Sequence, residues 1–188
     1  HQKRVLNCFG YTGGFSVYAL AGGASRVDTV DISAPAIELA KVNMEKNGAS
    51  LSQHGFITQD VFEFLRANPL DYEVVILDPP AFAKKKKDQI QACRAYKDIN
   101  RLAFEKMPAG SLLVTSSCSY HVDEELFQQV VFQAAAEAKE RDNPRNRELD
   151  VIRSKIQKAS SKCEKWIASL RRELSVYTSE GRTMMEDF

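Results

Sequence analysis

Strand-like and helix-like segments alternate along the first 140 residues of this 188-residue chain. Five apolar runs are typical of buried strands, and they occupy 4–9, 26–32, 54–58, 72–78 and 111–117. Segments with helical periodicity lie between and after these runs, at 14–22, 34–47, 60–67, 93–107 and 122–140. Near-continuous apolar strands separated by helices form parallel sheets that are covered on both faces. The order therefore predicts a Rossmann-like, doubly wound and mostly parallel α/β fold.

The last quarter of the sequence departs from this alternation. The polar segment DNPRNR at 142–147 predicts a linker, and from Leu149 to Leu170 apolar residues recur at alternating three- and four-residue steps. That spacing predicts a long amphipathic helix. We therefore expect a first domain at 1–141 and a linker with a helical tail at 142–188. The helix either packs on its own domain or forms a seam for self-association or for a partner.

Composition narrows the class of protein without naming an activity. Apolar residues make up 44% of the chain and charged residues 27%, and no apolar stretch reaches the ~20 residues that a membrane span needs. The four cysteines show no C-x-x-C spacing, so we predict no metal site, no disulfide framework and a reducing, cytoplasmic setting. Because the net charge is only +1, any binding of nucleic acid must depend on local basic patches.

Two motifs at strand ends indicate an adenosine-bearing ligand. The first strand runs into NCFGYTGGF at 7–15, where Gly13 and Gly14 allow close approach of the backbone to a ligand, although the pattern is not G-x-G-x-x-G. About twenty residues further on, Asp31 in VDIS is placed to accept hydrogen bonds from ribose hydroxyls. In the alternative interpretation, Ser33 or Asp31 only caps the next helix.

The third and fourth strands end in further candidate residues. Asp60 could contact an adenine amino group and Phe62 could line its face, although Asp60 could equally be a helix cap. In LDPPAF, two prolines fix a rigid turn that holds Asp78 at the strand end. Four lysines at 84–87 then form either a solvated loop or a site that attracts phosphates.

These motifs, together with ACRAYKDIN at 92–100 and TSSCS at 115–119, resemble in their order the bacterial S-adenosylmethionine-dependent methyltransferases of the RlmI type, which act on a cytosine in large-subunit ribosomal RNA. The similarity covers about residues 4–138. It implies a class I methyltransferase fold, S-adenosylmethionine as cofactor and ribosomal RNA as partner. The cofactor contacts that it implies are Asn7, Phe9, Tyr11, Gly13, Asp31, Ile32, Asp60, Val61 and Asp78. The substrate contacts are Pro79, Pro80, Phe82, Lys84 and Arg94.

The resemblance also implies that Cys118 is a nucleophile. Carbon 5 of cytosine is too weak a nucleophile to take a methyl group from a sulfonium, so a thiolate first adds to carbon 6. Asp78 would hold the cytosine edge, and the small side chains of Ser117 and Ser119 would leave room for the base. The lysine loop or Arg94 would favour the thiolate.

Two other functions remain open at this stage. D-P-P followed by an aromatic residue is typical of enzymes that methylate an exocyclic amine, but here Phe82 comes one place late and Cys118 would have no role. The chain could also bind cofactor or a protein partner without catalysis. The resemblance fades after about residue 140, so the closing strands of a seven-stranded sheet are not evident, and the family's amino-terminal RNA-binding domain lies outside these 188 residues.

Overall fold

A computed structural model describes residues 2–140, in which strands and helices alternate as the sequence predicts. The strands are β1 (Arg4–Cys8), β2 (Arg26–Asp31), β3 (Gly55–Thr58), β4 (Val74–Leu77) and β5 (Leu112–Thr115). The helices are α1 (Gly14–Ala21), α2 (Ala34–Lys46), α3 (Val61–Ala67), α4 (Gln89–Lys106) and α5 (Glu124–Glu140). One boundary differs clearly, because α4 begins four residues before the predicted start at 93.

The five strands form one parallel sheet in the order β3-β2-β1-β4-β5. The chain first winds outward from β1 to β3 and then returns to the other side of β1 with β4 and β5. The doubly wound α/β fold is thereby confirmed, with its switch point between β1 and β4. In such sheets ligands bind outside the carboxyl ends of the strands, at the switch point.

Alternate residues of each strand enter cores on opposite faces of the sheet. In β1, Leu6 and Cys8 face the larger core, which contains Tyr96 of α4 and residues of α3 and α5. Val5 faces the smaller core, which it shares with Met44 of α2. Both faces of the strands are thus covered, which explains the uninterrupted apolar runs in β4 (VVIL) and β5 (LLV).

A polar cluster closes the amino end of the sheet, opposite the expected ligand site. Asp28 is buried, and its carboxylate accepts hydrogen bonds from Arg26 Nε and from the Tyr72 hydroxyl, the latter at 2.7 Å. His54 Nδ1 accepts a hydrogen bond from the Val27 amide at 3.1 Å. These bonds join β2 to the segments before β3 and β4.

The predicted linker and helix at 142–188, with the proposed self-association seam, lie outside the described residues. Among residues 2–140, no helix is both long and apolar enough to cross a membrane. The same part of the chain contains no group of three or more potential metal-ligating side chains.

Candidate active site at the carboxyl edge of the sheet

The loop after β1 is held in a strained, closely packed conformation. Phe9 and Tyr11 have positive φ angles of 58° and 46°, in a region that non-glycine residues rarely adopt. A Cβ on Gly10 would lie 2.4 Å from Thr29 Cγ2, so only glycine fits there. Gly13, at φ 82°, is the N-cap residue of α1. Residues with strained backbone angles are often found at ligand-binding sites, where the surrounding structure stabilises the strained conformation.

Asp31 fixes this loop from the end of β2. Its two carboxylate oxygens accept hydrogen bonds from the amides of Tyr11 and Ser33, each at 2.9 Å. Ser33 is the residue that caps α2, through its Oγ and the Ala36 amide. Each oxygen of Asp31 keeps a second acceptor position for a ligand. The adjacent Ile32 is 70% exposed, which leaves an apolar surface beside the carboxylate.

Asn7 provides a second candidate contact with a ligand at β1. Its side chain is buried, and Nδ2 donates to Ser16 Oγ at 2.9 Å, which in turn lies 2.7 Å from Thr29 Oγ1. The other side-chain atom, Oδ1, is buried and has no partner among the described residues. Buried acceptors are normally satisfied, so Oδ1 is a position that a ligand donor or a water would occupy.

The end of β3 supplies Asp60, whose helix-capping role is observed directly. Its Oδ1 accepts from the Glu63 amide at 3.0 Å at the start of α3, which leaves Oδ2 for a ligand. Val61 is 2% exposed with its side chain in the larger core, so a ligand would meet only its main chain. Phe62 packs edge-on against Phe9, with ring centroids 6.4 Å apart.

The loops after β4 and β5 are tied together around Asp78 and Cys118. Ser116 Oγ donates to Asp78 Oδ1, and Cys118 Sγ lies 3.5 Å from the Pro79 carbonyl oxygen. Both the carboxylate and the thiol are exposed, whereas Pro79 beneath them is buried. The two residues predicted to be catalytic therefore lie on neighbouring strand ends and face solvent together.

A buried serine holds these two loops, and the sequence did not reveal it. Ser119 is 4% exposed, and its Oγ accepts from the Ala83 amide at 3.0 Å and lies 2.8 Å from the Tyr96 hydroxyl. The expectation that Ser119 leaves open space for a base is wrong, because its side chain points into the protein. Tyr96, 0% exposed, extends this anchor to α4. The sequence signal for this anchor was Tyr96 itself, because a tyrosine on the apolar face of a helix is buried and its hydroxyl then needs a hydrogen-bond partner.

An aromatic cluster connects the loops after β1 and β4 with helices α3 and α4. Phe82 stacks near Tyr96 with centroids 4.7 Å apart, and it also contacts Phe9 and Phe62 at 6.2 and 5.8 Å. Phe82 thus packs mainly against the core, although the sequence predicted it as a substrate contact. Through Phe9, the cluster connects the loop after β1 to the loop after β4.

The described cysteines differ sharply in accessibility. Cys8 is fully buried, and burial strongly raises the pKa of its thiol. Burial, with a smaller contribution from the charge of Asp123, also raises the pKa of Cys93. Cys118 is the exposed thiol of these three. It is therefore the one that a large substrate could reach.

The basic residues predicted to assist Cys118 are exposed but do not contact it. Lys84–Lys87 and Arg94 have high solvent exposure, and none of them takes part in the ion pairs found among residues 2–140. The hydrogen-bond partner found for Cys118 is the Pro79 carbonyl. The lysines are thus available to an anionic ligand rather than occupied within the fold.

Chemically, the edge has two adjoining halves. The acceptors of Asp31 and Asp60 and the strained loop lie at the ends of β1, β2 and β3, and they suit a ligand with hydroxyl and amino donors. The carboxylate and thiol lie at the ends of β4 and β5. Because β1 and β4 are neighbours, a ligand bound by Asp31 and Asp60 would lie next to the loop that contains Asp78.

The sequence of this chain is similar to those of known methyltransferases. Residues 1–139 match the family described as S-adenosylmethionine-dependent methyltransferase. The ribosomal RNA large subunit methyltransferase I of Aeromonas salmonicida is 49% identical over 139 residues, which are 72% of this chain and 35% of that protein. The protein of the same name from Photobacterium profundum is 50% identical over the same shares. The chain thus spans about a third of the length of the curated relatives it matches.

Solved structures show the same architecture. A methyltransferase crystallised in complex with SAH has a TM-score of 0.61 and 28% identity, with 71% of this chain and 35% of that chain covered. A SAM-dependent methyltransferase from Agrobacterium tumefaciens has a TM-score of 0.58 and 26% identity, with 71% and 44% covered.

Proposed function

Since this chain belongs to the family of S-adenosylmethionine-dependent methyltransferases, we propose that it is the catalytic core of an enzyme that methylates carbon 5 of a cytosine in large-subunit ribosomal RNA. The observation that carries the proposal is the exposed thiol of Cys118 beside Asp78. Next to them lies the half of the edge that contains Asp31 and Asp60, which we call the cofactor half. The name of the curated relatives supports ribosomal RNA as the substrate.

The residues of the cofactor half suit S-adenosylmethionine. The unused acceptor positions of Asp31 match ribose hydroxyls, and Oδ2 of Asp60 matches an amino group. The absence of a side chain at Gly10 lets the loop pack closely against Thr29 of β2, which sets the path of the loop backbone at the strand end. Exposed Ile32 and Tyr11 offer apolar surface for the adenosine. When bound, the cofactor supplies an electrophilic methyl group.

Cys118 would provide the nucleophile that this reaction needs. Its thiolate forms a bond to carbon 6 of cytosine, and the ring electrons shift so that carbon 5 becomes nucleophilic. After carbon 5 has gained the methyl group, loss of its proton and departure of the thiolate restore the aromatic base. Ala81, the residue after the two prolines, has no group that could accept this proton, so the proton leaves to water or to another group.

Asp78 would position the base during this addition. Ser116 holds Oδ1 and leaves Oδ2 for the amino group or protonated ring nitrogen of cytosine. As the thiolate adds to carbon 6, the ring nitrogen takes up a proton from solvent, and the Asp78 carboxylate would accept a hydrogen bond from the resulting N–H and so stabilise the adduct. Removal of Asp78 should therefore reduce the rate more than it reduces cofactor affinity.

The test is transfer of labelled methyl from S-adenosylmethionine to unmodified large-subunit RNA, followed by nucleoside digestion. We expect 5-methylcytidine with the wild-type chain, none with Cys118→Ala, and wild-type activity with the control Cys93→Ser. Cofactor binding by Cys118→Ala, measured by calorimetry, should be unchanged. Retained activity in Cys118→Ala would contradict the thiolate mechanism.

The same digestion decides the amine alternative. An enzyme of that class would give an N-methylated nucleoside and would not need Cys118. Packing of Phe82 in the aromatic cluster argues against this alternative, because the aromatic residue after D-P-P then has little surface left for a substrate. Self-association through 149–170 stays a prediction from the sequence, and sedimentation of the full chain would test it.

A further inference from the structure

A rigid turn next to Cys118 carries an exposed aromatic side chain that the proposed chemistry does not use. Tyr120 is 92% exposed, two residues after the nucleophile. The Val122 amide donates to the Ser119 carbonyl at 2.9 Å, so Tyr120 and His121 occupy the two central positions of a β-turn. Their rings lie edge to face, with centroids 5.3 Å apart.

The turn is anchored on both sides by buried residues. Ser119 is fixed by its bonds to Ala83 and Tyr96, and Val122 is 5% exposed within the larger core. The His121 carbonyl accepts from Gln89 Nε2 at 2.7 Å. The tyrosine ring is thus displayed on a fixed backbone, and ordering it on a ligand would cost little conformational entropy.

The same anchor brings the lysine loop to this turn. The Gln89 side chain bonds the turn, and Gln89 is also the first residue of α4. The exposed lysines Lys84–Lys87 precede it, separated from it only by Asp88. The exposed ring of Tyr120 and the lysine loop therefore lie on two segments that are joined through Gln89. This pairing is typical of proteins that bind single-stranded nucleic acid, in which bases stack on aromatic rings and lysines follow the phosphates.

We propose that Tyr120 is a stacking platform for an unpaired base next to the target cytosine, and that Lys84–Lys87 bind the adjoining phosphates. The substrate is then a single-stranded segment of RNA rather than a continuous duplex. This inference rests on the proposed function for the identity of the target base. The stacking itself depends only on the turn and its surroundings.

The first test measures binding of the full chain to a short single-stranded RNA that carries 2-aminopurine beside a cytosine. Stacking on Tyr120 quenches the fluorescence of this base analogue. Because Tyr120 is exposed, we expect the lower end of the range for one stacked base, so that Tyr120→Ala weakens binding about fivefold to tenfold and abolishes the quenching. Tyr120→Phe, which keeps the ring, should restore both. The control Leu39→Ala removes an exposed apolar side chain of α2 and should change neither.

The salt dependence of binding separates stacking from phosphate contacts. A variant with Lys84 and Lys85 changed to alanine should lower the slope of log affinity against log salt by about 0.7 for each lost contact. Tyr120→Ala should weaken binding at every salt concentration and leave the slope unchanged. A variant that had merely disturbed the fold would not give this pattern.

Three outcomes would overturn the platform: no binding of the wild-type chain to single-stranded RNA, equal affinity of Tyr120→Ala, or tighter binding of a duplex of the same sequence. Product analysis separates this proposal from the proposed function. Binding that depends on Tyr120, without formation of 5-methylcytidine, would support the platform and reject the cytosine reaction. Formation of 5-methylcytidine at unchanged rate and affinity in Tyr120→Ala would reject the platform and support the cytosine reaction.

Discussion

Replacement of Ser119 by alanine would leave two buried polar groups without their partner, the Ala83 amide and the Tyr96 hydroxyl. Ser119 Oγ is bonded by the Ala83 amide and the Tyr96 hydroxyl, at 3.0 and 2.8 Å. Ser119 is 4% exposed, Ala83 2% and Tyr96 0%, so water does not replace the lost serine hydroxyl. Each buried polar group left without a hydrogen-bond partner costs about 1–3 kcal/mol. With partial relaxation, we expect Ser119→Ala to lower the free energy of unfolding by about 2–4 kcal/mol.

Urea denaturation followed by far-UV circular dichroism measures this loss. With a slope of about 2 kcal/mol per molar urea, the midpoint should fall by roughly 1–2 M. Ser52→Ala, which changes an exposed serine, is the control and should stay within about 0.5 kcal/mol of wild type. Tyr96→Phe should cost only about 1 kcal/mol, because Ser119 still accepts from the Ala83 amide.

A double variant that combines Ser119→Ala with Tyr96→Phe tests whether the two hydroxyls stabilise the fold through each other. Once Tyr96 has lost its hydroxyl, Ser119→Ala strands only the Ala83 amide, so the combined loss must be smaller than the sum of the single losses. Strict additivity, or a loss below about 0.5 kcal/mol for Ser119→Ala alone, would refute the role assigned to this hydroxyl.

Three further perturbations test other parts of the fold. Lys106→Met removes an ammonium that donates to three carbonyls at the end of α3, at 2.6, 2.6 and 3.1 Å, and should lower the free energy of unfolding by about 1–2 kcal/mol in the same urea assay. Gly10→Ala places a Cβ 2.4 Å from Thr29 Cγ2 and should cost about 1–3 kcal/mol, with a marked loss of cofactor affinity by calorimetry. Burial lowers the pKa of His54, so the unfolded chain binds the proton more readily, and the urea midpoint should fall as the pH drops below about 6.5. Protonation also ends the acceptor role of its Nδ1 toward Val27, so His54→Leu should flatten that part of the pH profile, and an unchanged profile would contradict the assignment.

The sequence predicted the elements well because buried parallel strands leave a strong local pattern. It also located the strand ends, where Asp31, Asp60 and Asp78 now stand. The early start of α4 was missed because its first turn, from Gln89, is largely exposed and follows a lysine-rich loop, so it has little apolar periodicity. The anchoring role of Ser119 could not be predicted, since it depends on partners 23 and 36 residues away in sequence.

The two halves of the edge are built differently, and this difference should separate the effects of mutation. The cofactor half is shaped by backbone, through positive φ angles and amides bound to Asp31. The other half, which contains Asp78 and Cys118, is held by the side chains of Ser116, Ser119 and Tyr96. Changes at Asp31 should therefore raise the dissociation constant for the cofactor, whereas changes at Ser116 should lower the rate of methyl transfer with the affinity retained. Phe82 contacts both the Phe9 loop and Tyr96, so a truncation there should impair both properties.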